Sequence, residues 1–226
     1  MSRPILVFDM DGVLVDVTES YRETIARTVE HFTGVKITRA KIHEYKNAGG
    51  WNDDWRLSHH IIAELGVQTA FQEVAAYFQG IFLGNGEDGL MRREQWIARP
   101  GLLERLEARF RLAVFTGRPK HEAEMTLERF APHVRFDPIM GMHEVRDHKP
   151  APEGLIQIGE QNQDSRLYYI GDTPDDARCA RAAGARFIGI AAPSNPLYFD
   201  LVFLFQGEGA YAIVDDINYL EEVFPT

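Results

Sequence analysis

Six short apolar runs punctuate the chain: Ile5–Phe8, Leu112–Phe115, Pro138–Met140, Leu167–Ile170, Phe187–Ile190 and Tyr211–Val214. Most place β-branched or aromatic residues on both faces of the pleat, the pattern of strands buried between two layers of helices. Helix-like stretches at 101–109, 120–130, 152–161 and 174–183 separate several of them. Strand, helix, strand in that rhythm predicts an α/β fold, a doubly wound, Rossmann-like parallel sheet with right-handed crossovers. Ligands bind such sheets beyond the carboxyl ends of the strands, so the polar residues just after each run are the ones to inspect.

Residues 17–98 have another texture, helical nearly throughout, and read as a domain inserted into a core made of 1–16 and 99–226. Ser20-Tyr21-Arg22-Glu23 has the form of a capping box, and its helix should stop near Gly34. Thr38 can cap a second helix, broken by Ala48-Gly49-Gly50, and Asn52 or Asp53 a third, ended by Gly66. A fourth from Thr69 to Leu83 sets Phe71, Val74, Phe78 and Phe82 at helical spacing. His59-His60 lies on the third helix and reads as an exposed pair.

Composition narrows the function. At 226 residues with 45% hydrophobic and 26% charged, the chain can bury a full core. A net charge of −10 excludes a fold-wide basic footprint for nucleic acid or an anionic membrane. No apolar run approaches the length that crosses a bilayer, and Met1–Pro4 leads into the first strand without a signal-like stretch, so a cytoplasmic protein is expected. The single cysteine, Cys179, excludes an intramolecular disulfide and a multi-cysteine metal site. An anionic substrate must be drawn in by a local cation.

Four polar signatures supply candidate chemistry. Asp9-Met10-Asp11-Gly12 follows the first run; its bland reading is a pair of turn-forming acids before a glycine, its functional one two carboxylates converging on a pocket. Thr116-Gly117-Arg118 follows the second and offers a hydroxyl, an accessible N–H and a guanidinium to a phosphate, although Thr116 also suits a helix cap. Lys149-Pro150 holds a lysine on extended backbone. Gly171-Asp172-Thr173-Pro174-Asp175-Asp176 follows the fourth run; a helix start accounts for Asp175 and Asp176 but not for Asp172. Taken in order, an Asp-x-Asp, a Thr, a Lys and a Gly-Asp near strand ends suit phosphoryl transfer through an aspartyl-phosphate. Carboxylates alone would repel a phosphate dianion, and oxygen ligands at this density suit Mg²⁺.

In these motifs the chain resembles the haloacid dehalogenase-like hydrolases, in the helical-cap branch typified by phosphoglycolate phosphatase. Asp9 through Asp16 is similar to that superfamily's first motif, and Thr116, Lys149 and Gly171–Asp176 to the second, third and fourth. The resemblance implies that Asp9 is the nucleophile and Asp11 the general acid and base. It implies that Thr116, Gly117 and Lys149 hold the phosphate, and that Asp9, the Asp11 carbonyl and Asp172 ligate Mg²⁺, with Asp176 a direct or water-mediated contact. It further implies a helical cap at 17–98. Trp51, Asn52 and Asp53 lie where that branch carries a cap loop, and Arg118 follows the second motif; these four are the substrate-contact candidates, against a reading of the loop as cap packing. The dehalogenases of this superfamily lack an acid two residues after the nucleophile, so Asp11 points to a phosphatase of small phosphomonoesters. A sugar-phosphate mutase on the same scaffold is the first alternative. A phospho-accepting receiver-type module is the second, disfavoured because Asp9 and Asp11 share one loop and the insert is large.

Overall fold

The computed structural model of the chain describes residues 3–85, 87–161 and 165–224. In chain order its elements are β1 (Ile5–Phe8), β2 (Val15–Asp16), α1 (Tyr21–Thr33), α2 (Arg39–Ala48), α3 (Asp54–Glu64), α4 (Phe71–Leu83), β3 (Gln95–Trp96), α5 (Leu102–Arg109), β4 (Arg111–Phe115), α6 (Lys120–Phe130), β5 (Phe136–Met140), α7 (Glu153–Glu160), β6 (Leu167–Gly171), α8 (Pro174–Ala183), β7 (Arg186–Ile190), α9 (Tyr198–Gly207), β8 (Ala212–Val214) and α10 (Leu220–Val223). The chain divides into two compact units, Met1–Val15 with Trp96–Thr226, and Asp16–Gln95. The short strands β2 and β3 pair with each other at the two boundaries.

The first unit is built on a six-stranded sheet in the order β5-β4-β1-β6-β7-β8, parallel throughout. Ile5 and Val7 point from β1 into a cluster with Leu155 and Ile158 of α7, Ala177 and Ala180 of α8, and Leu201 and Phe205 of α9. Their alternates Leu6 and Phe8 take the opposite face and are equally buried. Continuous apolar runs are the expected result of a sheet covered on both faces. The chain runs outward from β1 through β4 to β5, then returns to β1's other side for β6 through β8. That reversal opens a crevice at the carboxyl ends of β4, β1 and β6, where loops diverge to opposite faces.

The second unit packs α1, α3 and α4 against one another, with α2 on α1. Ile25, Val29, Leu57, Ile61, Ile62, Val74, Phe78 and Phe82 are among its buried apolar residues, at helical spacing. Thr38 caps α2 by accepting from the N–H of Lys41, and Asp53 caps α3 by accepting from those of Trp55 and Arg56. Gly34 ends α1 in the left-handed conformation.

Three expectations need correction. Ser20 precedes α1, but its side chain makes no capping bond, so the expected capping box does not form. His59 and His60 are not an exposed pair: His59 Nε2 lies 3.0 Å from the Thr69 carbonyl, and His60 stacks on Trp51 with centroids 4.3 Å apart. Helix α9 was not expected at all. Its sequence is apolar around its whole circumference, so no 3.6-residue period marks it; Leu201 and Phe205 are buried while Phe199 and Phe203 are 83% and 78% exposed.

Candidate active site

Parallel register places the candidate residues level with one another. Phe8 of β1 pairs with Val114 of β4 on one side and Ile170 of β6 on the other. Asp9 follows directly and donates its N–H to the Ile170 carbonyl at 2.8 Å, while Thr116 and Asp172 each follow the last residue of their strands. Three neighbouring strands therefore deliver a carboxylate, a hydroxyl and a second carboxylate to one crevice.

The loop after β1 is tight. The N–H groups of Leu14 and Val15 both bond to the Met10 carbonyl, and Gly12 donates to the Val15 carbonyl at 2.8 Å. Gly12 has φ of +74°, and a Cβ there would lie 2.0 Å from Asp172 Oδ2. Only glycine tolerates both the backbone conformation and the approach of that carboxylate.

Lys149 is the cation of the site. Its Nζ lies 3.1 Å from Asp9 Oδ1, 2.7 Å from Asp176 Oδ1 and 3.0 Å from the Tyr169 hydroxyl. Asp9, Lys149 and Asp176 are all buried. Asp176 spends its other oxygen on the N–H and hydroxyl of Thr173, at 3.0 and 2.6 Å, completing the capping box of α8. The helix start and the lysine are thus fixed by one carboxylate. Tyr169, which the sequence reading did not single out, has its hydroxyl 2.8 Å from Asp176 Oδ1 and 3.1 Å from the Phe115 carbonyl. Two adjacent tyrosines, Tyr168 and Tyr169, face opposite sides of β6, and only the fold tells which one reaches the crevice.

Charge and burial compete here. Burial, reinforced by the charges of Asp176 and Asp11, outweighs Lys149 and raises the Asp9 carboxyl from 3.8 to about 7. For Lys149 burial acts downward, but the carboxylates of Asp176 and Asp9 prevail and keep it firmly protonated. Burial also opposes the ionised form of Asp176, yet Lys149, Thr173 and Tyr169 together hold it below its ordinary value.

Carboxylate oxygens of Asp9, Asp172 and Asp176 lie within 4.8 Å of one another. An all-oxygen donor set and an Asp9 carboxyl pushed toward neutrality fit a hard divalent cation such as Mg²⁺. Both oxygens of Asp176 already accept hydrogen bonds from Lys149, Tyr169 and Thr173, so Asp9 and Asp172 would be the direct donors to a cation, with Asp176 behind them. The proton linkage of Asp9 makes this testable. Its contribution to stability is full below 3.8 and lost as pH rises through about 7, because the folded state holds the proton longer than the unfolded one. A bound cation favours the ionised form. Added Mg²⁺ should therefore raise the melting temperature more at about pH 8 than at about pH 5; an equal shift at both would show that Asp9 is not a ligand.

The remaining candidates separate. Arg118, a substrate-contact candidate, has a buried guanidinium with Nε and Nη2 2.6 and 2.5 Å from Asp11 Oδ1, and its Nη1 donates to Thr126 Oγ1 at 3.1 Å. Thr116 Oγ1 accepts from the Arg118 N–H at 3.2 Å, and Gly117 between them is half-buried. Trp51, Asn52 and Asp53 belong to the helical unit. There Asp53 is the cap of α3 and Trp51 packs between Tyr45 and His60.

The family model described as haloacid dehalogenase-like hydrolase matches residues 6–190. The chain is 34% identical over 208 residues to an imidazoleglycerol-phosphate dehydratase of Phytophthora nicotianae, a match covering 86% of this chain and 45% of that protein, so the chain spans about half its length. It is 26% identical over 186 residues to a phosphoglycolate phosphatase of Cereibacter sphaeroides, covering 81% and 83% of the two chains. Among solved structures, a phosphatase from Thermococcus thioreducens aligns with a TM-score of 0.64 at 26% identity, over 90% of this chain and 99% of the other. With the strand-end carboxylates, the buried lysine and a family match over most of its length, the chain belongs to the haloacid dehalogenase-like hydrolases.

Proposed function

We propose that the chain is a phosphatase of small phosphomonoesters that works through an aspartyl-phosphate on Asp9. The observation that carries this reading is the position of Asp9, buried at the carboxyl end of the central strand, 3.1 Å from a lysine and across from Asp172. A phosphoryl group brought to Asp9 meets Lys149 at once, which screens the charge of nucleophile and phosphate alike. Asp176 and Tyr169 fix the ammonium so that no reorientation is needed as charge moves to the equatorial oxygens. Mg²⁺, when bound by Asp9 and Asp172, supplies the charge neutralisation that lets an anionic nucleophile approach a phosphate dianion.

Asp9 attacks phosphorus as the ester P–O bond breaks, and Asp11 gives its proton to the departing alkoxide. Asp11, then a carboxylate, takes a proton from the water that opens the aspartyl-phosphate. Arg118 Nε and Nη2 both lie against Asp11 Oδ1, which orients the carboxyl. Asp11→Asn should slow an alkyl phosphate by about 10²–10⁴-fold and the first half-reaction of an aryl phosphate much less, since general acid help matters most for a poor leaving group. Equal losses in that step for the two esters would remove Asp11 from the role.

The reading is tested by phosphate release from a panel with and without Mg²⁺. The relatives' names suggest phosphoglycolate, fructose 1-phosphate and imidazoleglycerol phosphate as members. Release that stops in chelator and returns with Mg²⁺ is expected; no release from any ester, with the protein folded and Mg²⁺ bound, would overturn it.

A further inference from the structure

The helical unit holds a charged cluster of its own. Arg22 in the first turn of α1 is 7% exposed, and its closest anion is Asp54 at the start of α3, with Nη1 to Oδ2 at 3.9 Å. That distance is too long for a hydrogen bond, and the guanidinium makes none to any described residue; Nη1 is buried without an acceptor. Lys46 in the last turn of α2 reaches the same carboxylate and donates to the Trp51 carbonyl at 2.7 Å. A buried guanidinium and a half-buried lysine therefore share one anion, which is itself 7% exposed. His43, one turn before Lys46, feels the excess: burial first, then the charges of Arg22 and Lys46, lower it and keep it neutral.

A buried guanidinium with five N–H donors and no acceptor is a costly arrangement. Asp54 is already neutralised by Lys46, so Arg22 is not required to pair it. About a tenth of each cationic side chain remains open to solvent. The planar fork of Arg22 suits two oxygens of one anion.

We propose that Arg22 and Lys46 form an oxyanion site within the helical unit that takes the carboxylate or phosphoryl group of a small molecule. The site goes beyond the phosphatase reading and stands without it. Its test is an NMR titration of the full chain with malonate, in metal-free buffer, following the Arg22 Nε–H signal and the amides of Trp51 to Asp54. Saturable shifts are expected, with affinity at least about tenfold weaker in Arg22→Met and in Lys46→Met. Arg27→Met, on the exposed part of the same helix, should bind like the parent. Without malonate, Arg22→Met should melt no lower than the parent, since Asp54 keeps Lys46.

Absence of saturable shifts overturns the site, as does a melting loss in Arg22→Met with malonate binding unchanged. If Arg22→Met does not fold, the parent and Lys46→Met titrations decide alone. Titrations then separate the chemistry of the anion. Inorganic phosphate that saturates the Arg22 Nε–H shift more tightly than malonate assigns the site to a phosphoryl group, and malonate the tighter of the two assigns it to a carboxylate. No turnover enters either titration, so failure of the phosphatase reading and failure of the oxyanion site remain distinct.

Discussion

Asp9→Asn should yield a folded protein whose turnover of every phosphomonoester falls by at least about 10³-fold. The amide has the shape of the carboxyl but lacks the anionic oxygen that must attack phosphorus. Stability should move the other way. Burial and the charges of Asp176 and Asp11 already oppose ionisation of Asp9, so a neutral side chain relieves that opposition above about pH 7. The expected pair of results is thus lost phosphate release with an unchanged or higher melting temperature near pH 8. A folded variant that retained comparable turnover would rule out the covalent route.

Lys149→Met should damage both activity and stability, which sets it apart. In the parent, one ammonium lies between the buried carboxylates of Asp9 and Asp176. Removing it leaves two like charges facing each other without a counter-ion, a change that typically costs about 3–5 kcal/mol. The two acids then compete for a proton, so the loss should deepen as pH rises and shrink in acid, where one carboxyl is neutral. Activity should fall by roughly 10²–10³-fold, the scale for losing a donor aimed at the charge of the transition state. Chemical denaturation across pH, alongside phosphate release, checks both. A variant as stable as its parent at high pH would mean that the two carboxylates do not face the lysine as the geometry has them.

The strands were legible because both sheet faces are covered, which leaves unbroken apolar runs such as Ile5–Phe8 and Leu167–Gly171. Helix α8 was legible because Thr173, Pro174, Asp176 and Gly184 state its beginning and end in local chemistry. Strand order was not, since nothing local says that β1 lies between β4 and β6. The same division runs through the site. Asp9, Thr116 and Asp172 stand out because each directly follows a strand, and one structural rule addresses all three. The partner of Arg118 does not, because Asp11 is 107 positions away and the pairing depends on two loops meeting across the crevice. Tyr169 was hidden by its neighbour Tyr168, and Arg22 by a helix start that local pattern explained as a capping box.

The position of β1 also governs how the chain reaches its fold. The strand made first is the one that needs partners from farthest away: Ile5 pairs with Arg111 on one side and Leu167 on the other. At ordinary synthesis rates the second partner emerges on the order of ten seconds after the first strand. The helical unit, whose residues fall between Asp16 and Gln95, has all its contacts available long before that. Closure of the sheet around β1 then requires two large loops, and the entropy of closing them is spent before any pairing repays it. Refolding should accordingly show helix formation well ahead of the burial of Tyr169. A nascent chain cut before β6 should leave Ile5–Phe8 half-paired and prone to association.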